Sequence, residues 1–153
     1  EKDNIISLAW VGVVCSNPAQ VAVAIRPSRF SHKLIEESKE FVVNVPSAEM
    51  VKAVNGCGAT SGSDTDKFEK FNLTREQASK VSAPLIKECP ISIECKLKQK
   101  ISLGTHDLFI GEIAAVQVDE KFLKGKEIDF SAIKPLAMMR GNYFAAGEKV
   151  GGR

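Results

Sequence analysis

A chain of 153 residues, 44% hydrophobic and 26% charged with a net charge of +2, has the composition of a globular domain that can bury its own core. The small net charge, with both signs interspersed, argues against a nucleic-acid or membrane-surface binder, and no apolar run reaches the length of a membrane span. The polar opening Glu1-Lys2-Asp3-Asn4 does not read as a secretory signal, so a cytoplasmic protein with one domain over residues 1–153 is the expectation.

Ile5 to Val14 is apolar and β-branched, which predicts a strand with a bulge or close backbone approach at Gly12. Trp10, the only tryptophan, is either core or a ring-packing residue. Cys15-Ser16-Asn17-Pro18 supplies a turn, and Gln20 to Ile25 predicts a second strand antiparallel to the first. Arg26-Pro27-Ser28-Arg29-Phe30-Ser31 then joins that strand to a helix predicted over His32 to Ser38, with Ser31 as its N-cap. These six residues bring together two guanidinium groups, two hydroxyls and the open N–H groups of a helix start, as an anionic group such as a phosphate requires. The plain alternative is a capped turn with two solvated arginines.

Glu40 to Val45 predicts a strand ended by Pro46, and Ser47 a cap for a helix carrying Val51 and Val54. Asn55 to Asp64 is rich in Gly and Ser and reads as a long loop of the functional or mobile kind. Thr74-x-x-Gln77 has the spacing of a capping box for a short helix. Ile91 to Lys100 alternates Ile91, Ile93, Cys95 and Leu97 with Ser92, Glu94, Lys96 and Lys98, which predicts a strand with one buried and one wet face. Leu103-Gly104-Thr105 turns the chain into a more buried return strand from His106 to Val118. Lys121 to Ile128 is a short helix or loop, and Pro135 to Met139 with Asn142 to Ala145 forms a last strand pair about Arg140-Gly141. Strands dominate, helices are short and no βαβ rhythm occurs, so the expected fold is mainly β: an antiparallel barrel with short helices at its ends.

Signatures of dinucleotide-binding domains, phosphate-loop enzymes, serine hydrolases and zincins are absent from the sequence. Cys15, Cys57, Cys89 and Cys95 lie far apart, without a C-x-x-C pair or a cluster with the two histidines, so they read as reduced thiols and no metal site is expected. Cys95 is expected in the core, and Cys57, in its Gly-rich loop, is expected to be more exposed than Cys15.

Several stretches in order carry a family resemblance: Asn4 to Gly12, Cys15-Ser16-Asn17-Pro18, Arg26 to Ser31, Glu40 to Asn44, Cys57-Gly58 to Ser61-Gly62, Asp66-Lys67-Phe68, Glu94-Cys95, and Gly104-Thr105-His106-Asp107 with Gly111-Glu112. In this series the chain resembles the flavin reductase-like, FMN-binding split-barrel family, most closely its flavoredoxin-like branch. The resemblance implies a homodimer of antiparallel Greek-key split barrels holding FMN non-covalently near the subunit interface. It implies that Ala9, Trp10, Val11 and Gly12 run along the flavin, and that Arg26, Ser28, Arg29 and Ser31 receive its phosphate. Lys67 and His106 match positions near the flavin and its substrate pocket, and are the catalytic candidates. Reduced flavin carries negative charge near its N1–C2=O edge, which N–H donors from Ala9 to Gly12 or a nearby cation would favour.

The implied function is an FMN-dependent oxidoreductase that accepts electrons, with NAD(P)H as one donor, and passes them to a flavin, ferric complex or protein acceptor. The alternative is an FMN-binding electron-transfer protein that works with a carrier protein and does not oxidise NAD(P)H. Two departures accompany the resemblance. Val11 stands where a threonine is frequent, and the further strand that family members carry ahead of the residues like Asn4 is expected to be missing or trimmed, with any flavin contact it makes.

Overall fold

The computed structural model describes residues 2–152. In chain order its elements are β1 (Val11–Ser16), β2 (Ala19–Ile25), α1 (Phe30–Ser38), β3 (Glu40–Val45), α2 (Val51–Ala59), α3 (Lys67–Lys70), β4 (Arg75–Glu76) and β5 (Leu85–Ile86). They continue with β6 (Ile91–Ser102), β7 (Asp107–Val118), β8 (Leu123–Lys124), β9 (Glu127–Ile128), α4 (Phe130–Ile133), β10 (Leu136–Met139) and β11 (Asn142–Ala145). Five strands form the main antiparallel sheet in the order β1-β2-β7-β6-β3. The long β6–β7 hairpin is its spine, turning through Gly104 at φ 103°, where a side chain would be strained.

One buried cluster, Val21, Val23, Ile25, Ile35, Phe41, Cys95 and Phe109, is drawn from β2, α1, β3, β6 and β7. The odd positions of β2 supply three of these residues, as the two-residue side-chain period dictates. Ile35 from α1 lies over the sheet, so the helix that follows the Arg26 to Ser31 loop is anchored by the core. The last predicted pair is a hairpin, β10–β11, with Arg140 and Gly141 both at positive φ, as a tight two-residue turn requires.

The first predicted strand differs from the observed one. Ile5 to Trp10 make no strand: β1 starts at Val11 and runs on through Cys15 and Ser16, and its bulge lies between Val13 and Cys15. Gly12 is in regular register with Ala22. Apolar residues before Val11 serve packing instead, with Ile6 and Leu8 against the main core and Ile5 against a second cluster of Phe68, Ile86 and Cys89. Trp10 is 62% exposed, which removes the core reading.

Three helix signals were also redirected by tertiary contacts. α1 begins at Phe30 with Arg29 as N-cap, and Ser31 sits inside its first turn, where its Oγ accepts a 2.8 Å hydrogen bond from Asn4 Nδ2. α2 takes in Asn55 to Ala59 of the expected loop because distant donors reach its last turns: Ser7 Oγ donates to the Val54 carbonyl and Lys67 Nζ to the Cys57 carbonyl. The Thr74 capping box does not form. Thr74 N–H donates to the Glu88 carboxylate, and Arg75–Glu76 pairs with Leu85–Ile86 as β4–β5.

On β6 the wet face is not uniformly wet. Glu94 is 0% exposed, while Lys96 and Lys98 on the same face stay in solvent. Its Oε1 accepts from Ser79 N–H, Ser79 Oγ and Gln117 Nε2, and its Oε2 from Lys80 N–H. Burial alone would raise this carboxyl, but the four hydrogen bonds to its charged form outweigh it and bring the pKa down to about 2. Cys57 is also buried, at 2% exposure, so Cys15 is the more accessible of the two. Burial raises the Cys57 pKa, against a smaller opposing effect of Lys67.

Candidate functional site

β2 ends at Ile25 and the chain turns immediately, with Arg29 N–H donating to the Arg26 carbonyl at 3.0 Å. No side chain caps the start of α1, and the N–H groups of Phe30 and Ser31 have no partner among the described residues. Arg26 and Arg29 are exposed and make no ion pair with a described residue. The loop therefore presents free cations and free N–H donors on one side of a cleft of about 350 Å³.

The cleft also has an aromatic wall. Trp10 and His106 stack at 4.6 Å between ring centroids, tilted by 48°, with the Thr105 hydroxyl 2.9 Å from His106 Nδ1. Two long-range pairings place them together: Ala24 N–H donates to the Trp10 carbonyl, and β2 pairs with β7, whose first residue follows His106. Met138 of β10 completes this wall.

Lys67 closes the floor. It begins α3, which Asp66 caps by accepting from Phe68 N–H and Glu69 N–H, and Arg75 holds Asp66 through a 2.7 Å contact. Lys67 is 5% exposed and donates to the Ile5 carbonyl at 2.6 Å and the Cys57 carbonyl at 2.7 Å. An ammonium has three donors, so one is left for the cleft. Burial lowers its pKa, the Cys57 side chain opposes the shift and the Arg29 guanidinium reinforces it. Lys67 is neither a solvated lysine nor a free one, because it ties the segment before β1 to the end of α2.

Eight of the ten residues singled out in the sequence line this cleft: Ala9, Trp10, Arg26 and Ser28, together with Arg29, Ser31, Lys67 and His106. Val11 and Gly12 do not. Both lie in the ladder with β2, where Val11 lines the neighbouring groove and Gly12 lines neither space. The threonine-to-valine departure at position 11 therefore falls outside the cleft. That neighbouring groove is larger, about 660 Å³, but it is lined mainly by apolar groups and holds none of Arg26, Arg29 and Lys67. Charge, not volume, distinguishes the site, since among the described residues no carboxylate lines the smaller cleft.

Asn4, Thr60, Ser61 and Gly62 also line the cleft without having been named individually. Their signal was the Gly- and Ser-rich stretch itself. Gly62 is required because a Cβ there would lie 1.9 Å from Asn4 Oδ1, displacing the side chain that holds Ser31. Met138 had no sequence signal.

Fold and cleft together define a split-barrel protein whose cleft, among the described residues, carries cations and no carboxylate beside an aromatic wall. The chain belongs to the family described as the flavin reductase like domain, whose profile matches residues 1–147. An uncharacterized protein of Archaeoglobus fulgidus is 41% identical over 126 residues, covering 82% of this chain and 71% of that one. The same organism's ferric-chelate reductase (NAD(P)H) is 31% identical over 114 residues, 74% of this chain and 64% of that one. The solved structure of flavoredoxin from Desulfovibrio vulgaris (Miyazaki F) superposes with a TM-score of 0.91 at 35% identity, covering 97% of this chain and 81% of that one.

Proposed function

We propose that the cleft binds FMN non-covalently and that the protein is an FMN-dependent oxidoreductase, accepting electrons from a donor such as NAD(P)H and passing them to a flavin, ferric complex or protein acceptor. The observation that carries this reading is the pairing, in one cleft, of the Arg26 to Ser31 loop, whose arginines have no ion-pair partner among the described residues, with the Trp10–His106 wall. When bound, the flavin supplies the redox chemistry. Arg26, Arg29, the Ser28 and Ser31 hydroxyls and the free N–H groups of α1 would hold the phosphate. Trp10 and His106 would face the ring system, and the remaining donor of Lys67 would favour negative charge developing beside it. Val11 and Gly12 contribute through the sheet and not through the cleft.

Likeness to a ferric-chelate reductase supports the reductase form of this reading. Likeness to a flavoredoxin supports the second form, an electron carrier that leaves NAD(P)H untouched. Anaerobic addition of NADH or NADPH to the flavin-loaded protein decides between them. Bleaching of the yellow colour is the expected result. Protein that stays yellow with both nucleotides but bleaches with reduced ferredoxin would overturn the reductase form in favour of the carrier.

A homodimer near the cleft belongs to the same proposal. β1 is an end strand of the sheet whose Val11, Val13 and Val14 are all exposed, and it continues directly from Trp10. Three exposed apolar side chains on an edge strand make a surface that a second copy can cover.

A further inference from the structure

Two buried residues stand immediately behind the cleft. His32 follows the cleft residue Ser31 in α1, and Asp107 follows the cleft residue His106 at the start of β7. Neither lines the cleft or the neighbouring groove. Their side chains meet, with His32 Nε2 2.8 Å from Asp107 Oδ2 and both buried. The imidazole is held edge-on against Phe109 at 4.9 Å, and its Nδ1 lies 3.4 Å from Glu36 Oε2. Lys100 Nζ sits 3.6 Å from Asp107 Oδ2 and also contacts Glu36.

The topology explains what this bond does. Asp107 is paired with Ile25, the residue from which the chain leaves the sheet toward Arg26. Six residues later the chain returns, and the first side chain of α1 to reach β7 with a hydrogen bond is that of His32. The His32–Asp107 bond therefore closes the Arg26 to Ser31 loop onto the strand that carries His106. A ligand gripped at two ends needs the two grips at a fixed separation, and buried bonds behind the contact residues supply that.

We propose that His32 and Asp107 form the positioning pair of the cleft: without touching the ligand, they set the anion loop at a fixed distance from the Trp10–His106 wall. This rests on the flavin reading above. FMN engages both grips, whereas riboflavin, which lacks the phosphate, engages only the wall. Loss of the pair therefore discriminates against FMN, a signature that a purely structural role would not produce.

The test uses the full chain with His32→Phe, which keeps an aromatic edge against Phe109, and separately Asp107→Leu at the other end of the bond. His32→Gln serves as the conservative variant that retains a donor toward Asp107. FMN and riboflavin are titrated by flavin fluorescence well below each variant's unfolding midpoint, and the emission of Trp10 is recorded without flavin. Either loss variant should weaken FMN about tenfold and riboflavin less than about twofold, and should shift Trp10 emission, with His32→Gln within about threefold of the parent for FMN. Equal losses for the two flavins, or none, in a folded loss variant would overturn the pair's role while leaving the flavin reading intact. A parent protein that binds neither flavin would overturn the flavin reading itself, and this assignment with it.

Discussion

Replacing Arg29 by glutamine removes one charge from the cleft while keeping a polar side chain. Arg29 is exposed and has no ion-pair partner among the described residues, so the fold should change by no more than about 0.5 kcal/mol. A charge-assisted hydrogen bond to a phosphate contributes about 1.5–3 kcal/mol, which weakens FMN by roughly 10- to 150-fold. Riboflavin should bind as before, because it has no phosphate for Arg29 to meet. Arg29 also presses the Lys67 pKa downward, so its loss moves Lys67 back toward its ordinary value. The assay is quenching of flavin fluorescence with FMN and riboflavin in parallel, at two salt concentrations, since a phosphate contact is screened by salt. Arg26→Gln is the companion variant. If FMN and riboflavin lose affinity by the same factor, or FMN loses none, the loop does not hold the phosphate.

Glu94→Ala should destabilise the fold by about 1–3 kcal/mol in denaturant titrations, since it removes the acceptor that the part-buried Ser79, Lys80 and Gln117 donors share. The Glu94 carboxyl sits near 2 when folded and near its ordinary 4.5 when unfolded, so its stabilisation is complete above pH 4.5 and is lost as pH falls toward 2. Glu94→Gln should flatten the acid limb in that window, and an unchanged limb would remove Glu94 as its source. Lys67→Met orphans the Ile5 and Cys57 carbonyls and should cost about 2–4 kcal/mol of stability while weakening FMN and riboflavin together, as calorimetry and titration would show. Val13→Asp places a charge on the exposed face of β1 and should convert a dimer to a monomer in sedimentation experiments, whereas an unchanged mass would exclude β1 as the interface.

Local pattern carried much of the fold. The strand from Ile91, the turn at Leu103-Gly104-Thr105 and the positive-φ pair Arg140-Gly141 each rest on a few neighbouring residues, and all three reappear in the structure. Loop 26–31 was legible for the same reason, because a strand, a turn and a helix start in succession leave N–H donors open whatever surrounds them. Ile5 to Val14 misled because an extended, alternating segment packed between two clusters has the same apolar pattern as a strand.

What the sequence by itself determined is therefore the strand periodicity, the hairpins and the cationic loop between β2 and α1. Only the tertiary structure decided which charges go inside. Alternation assigns Glu94 to a face but does not say that residues 79–80 will cover that face and donate to it. Nor can it say that Lys67 will find the Ile5 and Cys57 carbonyls, or that Ser7 will reach the Val54 carbonyl of α2. The physical reason is that a buried polar group is tolerated only when its partners arrive, and here most of those partners arrive from other elements.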